Sequence, residues 1–439
     1  MNARITFWFG LLLACSLMVG FTETAQAQVY VEKQTRHRFA QLAMGFDYAT
    51  SIGGRSRFLN ASGTLESFDL QRSATPRFLL GGTHFWGHAD VYIAFPLGNP
   101  SYTTNDQKLF HLSGVETVFK YYPWRIEHNK LRPFVGFSFS PFYFEQENTA
   151  VSFGDGPDLN HTSFPLQTGF TFNSKNHLFE LGLGWNYSNS QDYFVSRDVE
   201  TSIETPPLQL SLSYRYFFDT SIGAERSWES GKTKKMTETL EKNGGLNAFF
   251  VGAGLSSAFW LGDSSYNNNN RQYLTQYSTS ILPDFTVGYH QHHWDLNIAL
   301  NYRNMSSSTD AFGAAQFIDR QSFGFEITKN LFDYNGFVPF IGPIISRENL
   351  GFTEFFEGQN SFDINQDKTA LGLTFGWDIR PNRLTSWILR TNLRWYPSLN
   401  LEVAPSNSIS FSNLEFNFIQ LIVYPGRMFK TTSKRYQEL

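Results

Sequence analysis

The chain has 439 residues, with 35 Lys and Arg against 39 Asp and Glu, and a formal net charge of −4. No basic excess points to nucleic acid, and a single cysteine leaves no disulfide framework. The 45 Phe, 20 Tyr and 10 Trp stand beside a mean hydropathy of −0.31. Beyond the leader there is no apolar run of about 20 residues to form a spanning helix, which leaves segments with one lipid face and one polar face.

Residues 1–27 read as a secretory leader. Arg4 is the basic start, Ile5 to Val19 the apolar stretch, and Ala25 to Ala27 an A-x-A signal, with cleavage expected between Ala27 and Gln28. The alternative is a lipoprotein leader with Cys15 lipidated, but the apolar run continues past Cys15 into "SLMVGF". Cleavage after Ala27 removes the only cysteine, and with it any thiolate metal site or cysteine nucleophile.

From Ala40 the residues alternate. Ala40, Leu42, Met44, Phe46 and Tyr48 share one face, and Gln41, Ala43, Gly45 and Asp47 the other. Period 2 is the signature of a strand with two unlike faces. "ELGLGWNY" (180–187) and "QLSLSYRY" (209–216) repeat it. Eight such strands are predicted near 39–50, 77–87, 89–97, 109–121, 133–144, 163–173, 177–188 and 207–218. Eight more fall near 248–258, 283–290, 294–303, 320–332, 338–346, 369–379, 386–397 and 412–425. The connections alternate between long polar loops, such as "NPSYTTNDQ" and "SSYNNNNRQYLTQYSTS", and short turns, such as "SKN" and "DYNG". This is the pattern of an all-β, antiparallel, up-and-down transmembrane barrel with long loops outside and turns in the periplasm.

The two sets of strands match in order. "LAMGFDYATS" (42–51) aligns with "FVGAGLSSAF" (250–259), placing Gly45 on Gly252, and "RPFVGFSFS" (132–140) aligns with "VPFIGPIIS" (338–346). "SGVETVFK" (113–120) aligns with "FGFEITKN" (323–330), placing Glu116 on Glu326. An eight-strand unit is therefore read as duplicated. The expected division is a leader at 1–27, a first repeat at 28–219, a charged helical linker at 220–245, a second repeat at 246–427 and a tail at 428–439. Two tandem eight-strand barrels are favoured over one of sixteen strands, because both halves are rich in inward glycines that suit a packed lumen.

The strand openings "RPFVG" and "VPFIG" and the aromatic ends "YRYFF" (214–218) and "IVYPGRMF" (422–429) carry a resemblance. Each half resembles the small outer-membrane barrel family, the OmpA-like and OmpX-like transmembrane domains. The resemblance implies the outer membrane of a diderm (Gram-negative) bacterium, a surround of outer-membrane lipid, biogenesis by the barrel-assembly machinery, extracellular loops and periplasmic termini. The second aromatic end departs from the family pattern, because "KTTSKRYQEL" follows it. The family is functionally diverse, so location follows more firmly than activity.

The polar faces also carry charge: Glu116, Lys120, Glu180 and Arg215 in the first half, and Asp295, Glu326, Arg390, Arg394 and Glu415 in the second. These are expected to plug the lumen as pairs, Glu180 with Arg215 and Arg394 with Glu415. His290, His292 and His293 fall at a predicted turn with no carboxylate partner, so no metal or other cofactor is expected. His84, His88, His111 and His161 are linked to no serine, and no catalytic or phosphate-binding motif is present. The expected role is passive: structural, interaction or narrow-channel. The alternatives are a sixteen-strand diffusion porin and a subunit of a larger envelope assembly or secretion complex.

Overall fold

The structure is a computed structural model that describes residues 40–432, apart from 61, 71, 99–100, 105–106, 150–153, 219–230, 278–281, 335 and 381–385. The leader with Ala27 and Gln28, part of the linker and the tail from 433 lie outside the described residues.

Eight strands of the first half form a ring: β1 (Ala40–Ile52), β2 (Ser73–His84), β3 (Ala89–Pro96), β4 (Glu116–Tyr121), β5 (Lys130–Asn148), β6 (Leu166–Ser174), β7 (His177–Trp185) and β8 (Leu208–Phe217). β1 lies between β2 and β8, so the first and last strands meet. The β5–β6 edge is closed by individual bonds, among them Asn129 N to Asn173 O at 2.7 Å and Ser138 N to Pro165 O at 3.1 Å. Pro165 has no N–H to offer a regular ladder there.

The second half is a closed barrel of β9 (Ala248–Trp260), β10 (Leu282–Gln291), β11 (Leu296–Ala311), β12 (Ala314–Asn330), β13 (Phe337–Phe356), β14 (Gln359–Ile379), β15 (Trp387–Tyr396) and β16 (Asn413–Val423). Among the described residues no ladder joins β8 to β9. The sixteen strands therefore close as two rings of eight, not as one ring.

Alternation sets the faces. Leu212, Phe249 and Leu300 point outward and are 65%, 71% and 62% exposed, whereas Arg215 on the opposite face is fully buried. Apolar outside and charge inside inverts a soluble protein and defines a transmembrane β-barrel. The small inward residues have a packing reason. A Cβ on Gly45 would sit 1.9 Å from the Tyr214 carbonyl oxygen on β8.

β11 to β14 contain 16, 17, 20 and 21 residues, where about 9–11 suffice to span a bilayer. They run well past the predicted ends at 303, 320, 346 and 369. Their upper outward faces are polar, as in the exposed Arg347–Asp367 pair. Apolar alternation stops there, but the inward residues remain buried and the ladder continues.

The long connections are folded, not open loops. Strands at Arg55–Leu59, Leu65–Asp69, Ser190–Ser196 and Val199–Glu204 form a sheet over the first ring. Beneath it Leu70, Phe142, Phe144, Leu159, Tyr193 and Ile203 make a small core. Over the second barrel, a short helix α2 (Ser265–Asn270) and a hairpin at Asn400–Ala404 and Asn407–Ser410 pack into a larger core with Trp260, Tyr266, Phe352, Leu401 and Phe411.

A further helix, α1 (Gly231–Lys242), lies in the linker and buries Met236 and Leu240 against Leu246. The final strand stops at Val423, and Pro425–Thr432 is helix α3, so "IVYPGRMF" is not a continuous strand end. Pro425 lacks the N–H a further ladder bond would need.

The rings touch along their height. At the capped end Arg197 donates to the Phe312 carbonyl oxygen at 2.9 Å and pairs with Glu357 at 2.8 Å. Midway Phe139 meets Phe259 and Phe416, and at the other end Phe85 meets Phe337.

If Leu300 faces hydrocarbon, Leu300→Arg should cost about 2–4 kcal/mol, whereas Asn365→Arg on the upper stretch of β14 should cost about 0–1 kcal/mol. Urea unfolding in lipid vesicles measures both, and equal costs would contradict the assigned faces.

Candidate functional site

The distinctive chemistry of this chain is inside the two lumens. An eight-strand barrel is wide enough for side chains and little else, so every inward charge must find its partner across that space.

In the first ring, Arg77 on β2 donates to both carboxylate oxygens of Asp47 on β1, at 2.8 and 2.5 Å, and to Glu116 on β4. Ser138 and Gln167 complete the shell of Glu116, at 2.5 and 3.3 Å. A second group follows toward the turn end. Arg215 makes two bonds to Asp90, at 2.9 and 2.5 Å, and a longer one to Glu180, at 3.4 Å. Lys120 bonds Glu180 and the Tyr92 hydroxyl. The Tyr92 ring lies 4.3 Å from the Arg215 guanidinium, which adds a cation–π contact.

In the second barrel, Arg303 and Arg320 both bond Glu415. Arg320 also forks onto Glu348, at 2.8 and 3.0 Å. Arg394 reaches Asp284 at 2.5 Å and Glu326 at 3.2 Å. Arg390 forks onto Asp378, at 2.7 and 2.9 Å. All of these side chains are buried.

Glu116, Lys120, Glu180 and Arg215 thus share one lumen, and Glu326, Arg390, Arg394 and Glu415 the other. Two sequence expectations need correction. Asp295 is not on a strand: it sits in the turn before β11 with φ 50, partly exposed, 3.8 Å from Arg380 and 3.9 Å from His290. Arg394 and Glu415 are opposite one another in the ladder, yet Arg394 is paired with Asp284 and Glu326 across the lumen. A guanidinium on a long stem prefers a two-carboxylate site to the neighbour that Arg303 and Arg320 already hold.

Sequence reading missed Asp47, Arg77, Asp90, Asp284, Arg303, Arg320, Glu348 and Asp378. Asp47 was visible as the polar residue after Gly45 in the alternation. Arg303, Arg320 and Glu348 lie at or beyond the predicted strand ends, and continuing the inward phase of β11 to β13 would have reached them.

His290 and His292 come together, with ring centroids 6.1 Å apart, and each lies near a carboxylate that sequence reading did not place there, Asp295 at 3.9 Å from His290 and Glu241 near His292. His290 bonds Asn297 at 2.9 Å and His292 lies 3.4 Å from Glu241 of α1. Among the described residues no group of three or more His, Cys, Asp or Glu is placed to hold a metal ion. At the turn end of the first ring, hydrogen bonds from Arg125 and Arg132 hold the Glu127 carboxyl below the usual carboxylate range.

No protein-family model matches the chain, and no curated protein matches it. Among solved structures, the chain is similar to Neisserial surface protein A, with 14% identity over 40% of this chain and 96% of that one, at a TM-score of 0.27. It is also similar to OmpT, an outer membrane protein of Vibrio cholerae, with 10% identity over 88% of this chain and 99% of that one, at 0.17. A third is a mutant of the TodX monoaromatic hydrocarbon channel, with 10% identity over 88% and 90%, at 0.18. These scores are low, and the fold rests on the strand pairing described above.

Removing one member of a buried pair leaves an uncompensated charge, at a cost of about 3–5 kcal/mol. Arg215→Ala should lose that much stability on urea unfolding, and adding Asp90→Ala should recover more of it than adding Glu180→Ala does. Additive losses in both double variants would refute the pairing.

Proposed function

We propose that this chain is an outer-membrane protein of a diderm bacterium, in which two filled barrels stand side by side in a passive structural or interaction role. The observation that carries the reading is that each lumen is crossed by ion pairs while its mouth is covered by a packed core of loop and strand-end residues. A diffusion pore needs an open aqueous lumen, which is met with in much wider barrels. This favours a structural or interaction role over the narrow-channel one, and leaves the sixteen-strand porin without a ring to form it.

On this reading the leader is cleaved between Ala27 and Gln28, the caps face outward, and the turns, the linker helix α1 and both termini are periplasmic. The halves derive from duplication of a unit resembling the small OmpA-like and OmpX-like barrels. Outer-membrane lipid surrounds the barrels and the barrel-assembly machinery inserts them. Other envelope proteins are the partners a capped surface would serve.

Planar-bilayer recording of the purified, folded chain tests the role. The expected result is no steady porin-sized conductance. Stable ohmic steps of porin size from the unmodified protein would overturn it.

A further inference from the structure

The buried charges of the first ring sort into two groups and those of the second barrel into three. In the second barrel Arg303 and Arg320 balance Glu415 and Glu348, two against two, and Arg390 balances Asp378, one against one. The other group is unbalanced, because Arg394 alone serves both Asp284 and Glu326. The first ring has the same arithmetic: Lys120 and Arg215 balance Glu180 and Asp90, and Arg77 alone serves Asp47 and Glu116.

The two unbalanced groups differ in one respect. In the first ring all four oxygens of Asp47 and Glu116 accept hydrogen bonds. In the second barrel Asp284 Oδ1 has no hydrogen-bond partner among the described residues. Nor do both amide atoms of Asn301 and of Asn392, Asn417 Oδ1 or Gln420 Oε1. All five residues are at most 4% exposed.

These groups belong to one layer of the barrel. Asn417 Nδ2 donates to Asp284 Oδ2 at 2.8 Å, and Asn392 is opposite Asn417 in the β15–β16 ladder. Gln420 donates to Thr286 at 3.0 Å. Thr286 is two residues from Asp284 on the same face of β10 and opposite Asn301. Arg394 also has an unpaired Nη2, and its bond to Asp284 is made at Oδ2.

A lone excess carboxylate in a buried interior is costly unless something neutralises it. The unpaired acceptors are one carboxylate oxygen and several carboxamide oxygens, the donor set of a hard cation. The excess is a single charge, so a monovalent ion cancels it, whereas a divalent ion would replace it with an excess of the opposite sign. We propose that the middle layer of the second barrel binds an alkali-metal cation, with Asp284 supplying the charge and Asn301, Asn392, Asn417 and Gln420 the neutral oxygens. The site goes beyond the passive role and does not depend on it.

The test refolds the full mature chain from urea into detergent micelles in sodium, potassium or N-methyl-D-glucamine chloride at equal ionic strength. The readout is the thermal midpoint of the heat-modifiable form. The midpoint should rise saturably with sodium or potassium and stay low in the organic cation. Asp284→Asn, which removes the excess charge, should lose this dependence, and Asp47→Asn in the first ring should keep it. If Asp284→Asn does not fold, Asn392→Leu should retain the dependence but shift half-saturation to higher cation concentration. Identical midpoints in all three salts would overturn the site. So would a midpoint that responds to pH but not to the cation, the mark of a carboxyl that keeps its proton, or an Asn392→Leu response equal to that of the unmodified chain.

Discussion

Everything inside this protein depends on the need to neutralise charge in a space too narrow for bulk water. Eight strands enclose room for side chains alone, and an unpaired charge there costs several kcal/mol. Arg215 can be fully buried because Asp90 receives it with two bonds and the Tyr92 ring covers it. Arg320 is held in the same way by Glu348 and Glu415. The outer surface obeys the opposite rule, and the strict alternation along β7 and β12 is where the two rules meet.

The caps extend the same logic beyond the membrane. Above the lipid, the long walls of β11 to β14 no longer need an apolar exterior, but their inward residues still need a core. Leu350, Phe352 and Ile318 find it with Trp260, Tyr266 and the folded hairpin around Leu401 and Ile409. The long loops therefore stabilise the walls as well as covering the mouths. Arg197 ties the first cap to the second barrel.

Much of this was legible in the sequence where lipid imposes its pattern. Leu181, Leu183 and Trp185 alternate with Glu180, Gly182 and Gly184, and strand, face and lumen follow from that alone. Legibility failed where lipid ends. Around Glu348 and Asp367 both faces are polar or mixed, so period 2 no longer marks a strand although the ladder persists. The cap strands near Arg57 and Thr201 are short and read as loop. Pairing inside the lumen was the least legible feature, because Arg394 reaches across the barrel to Asp284 and a neighbour rule sees only Glu415. Asp295 misled for a local reason: the expected strand began at 294, but Asp295 ends a turn at positive φ, one residue before β11 begins.

The central claim is that the sixteen strands form two self-sufficient rings, each closed by its own strands and braced by its own buried ion pairs. The most direct measurement is to express residues 28–220 with a signal peptide and follow heat modifiability and protease resistance of the fragment in the membrane. The account expects a compact, resistant barrel that shifts on gel after boiling. A fragment that stays unfolded and protease-sensitive until the second half is supplied would contradict it.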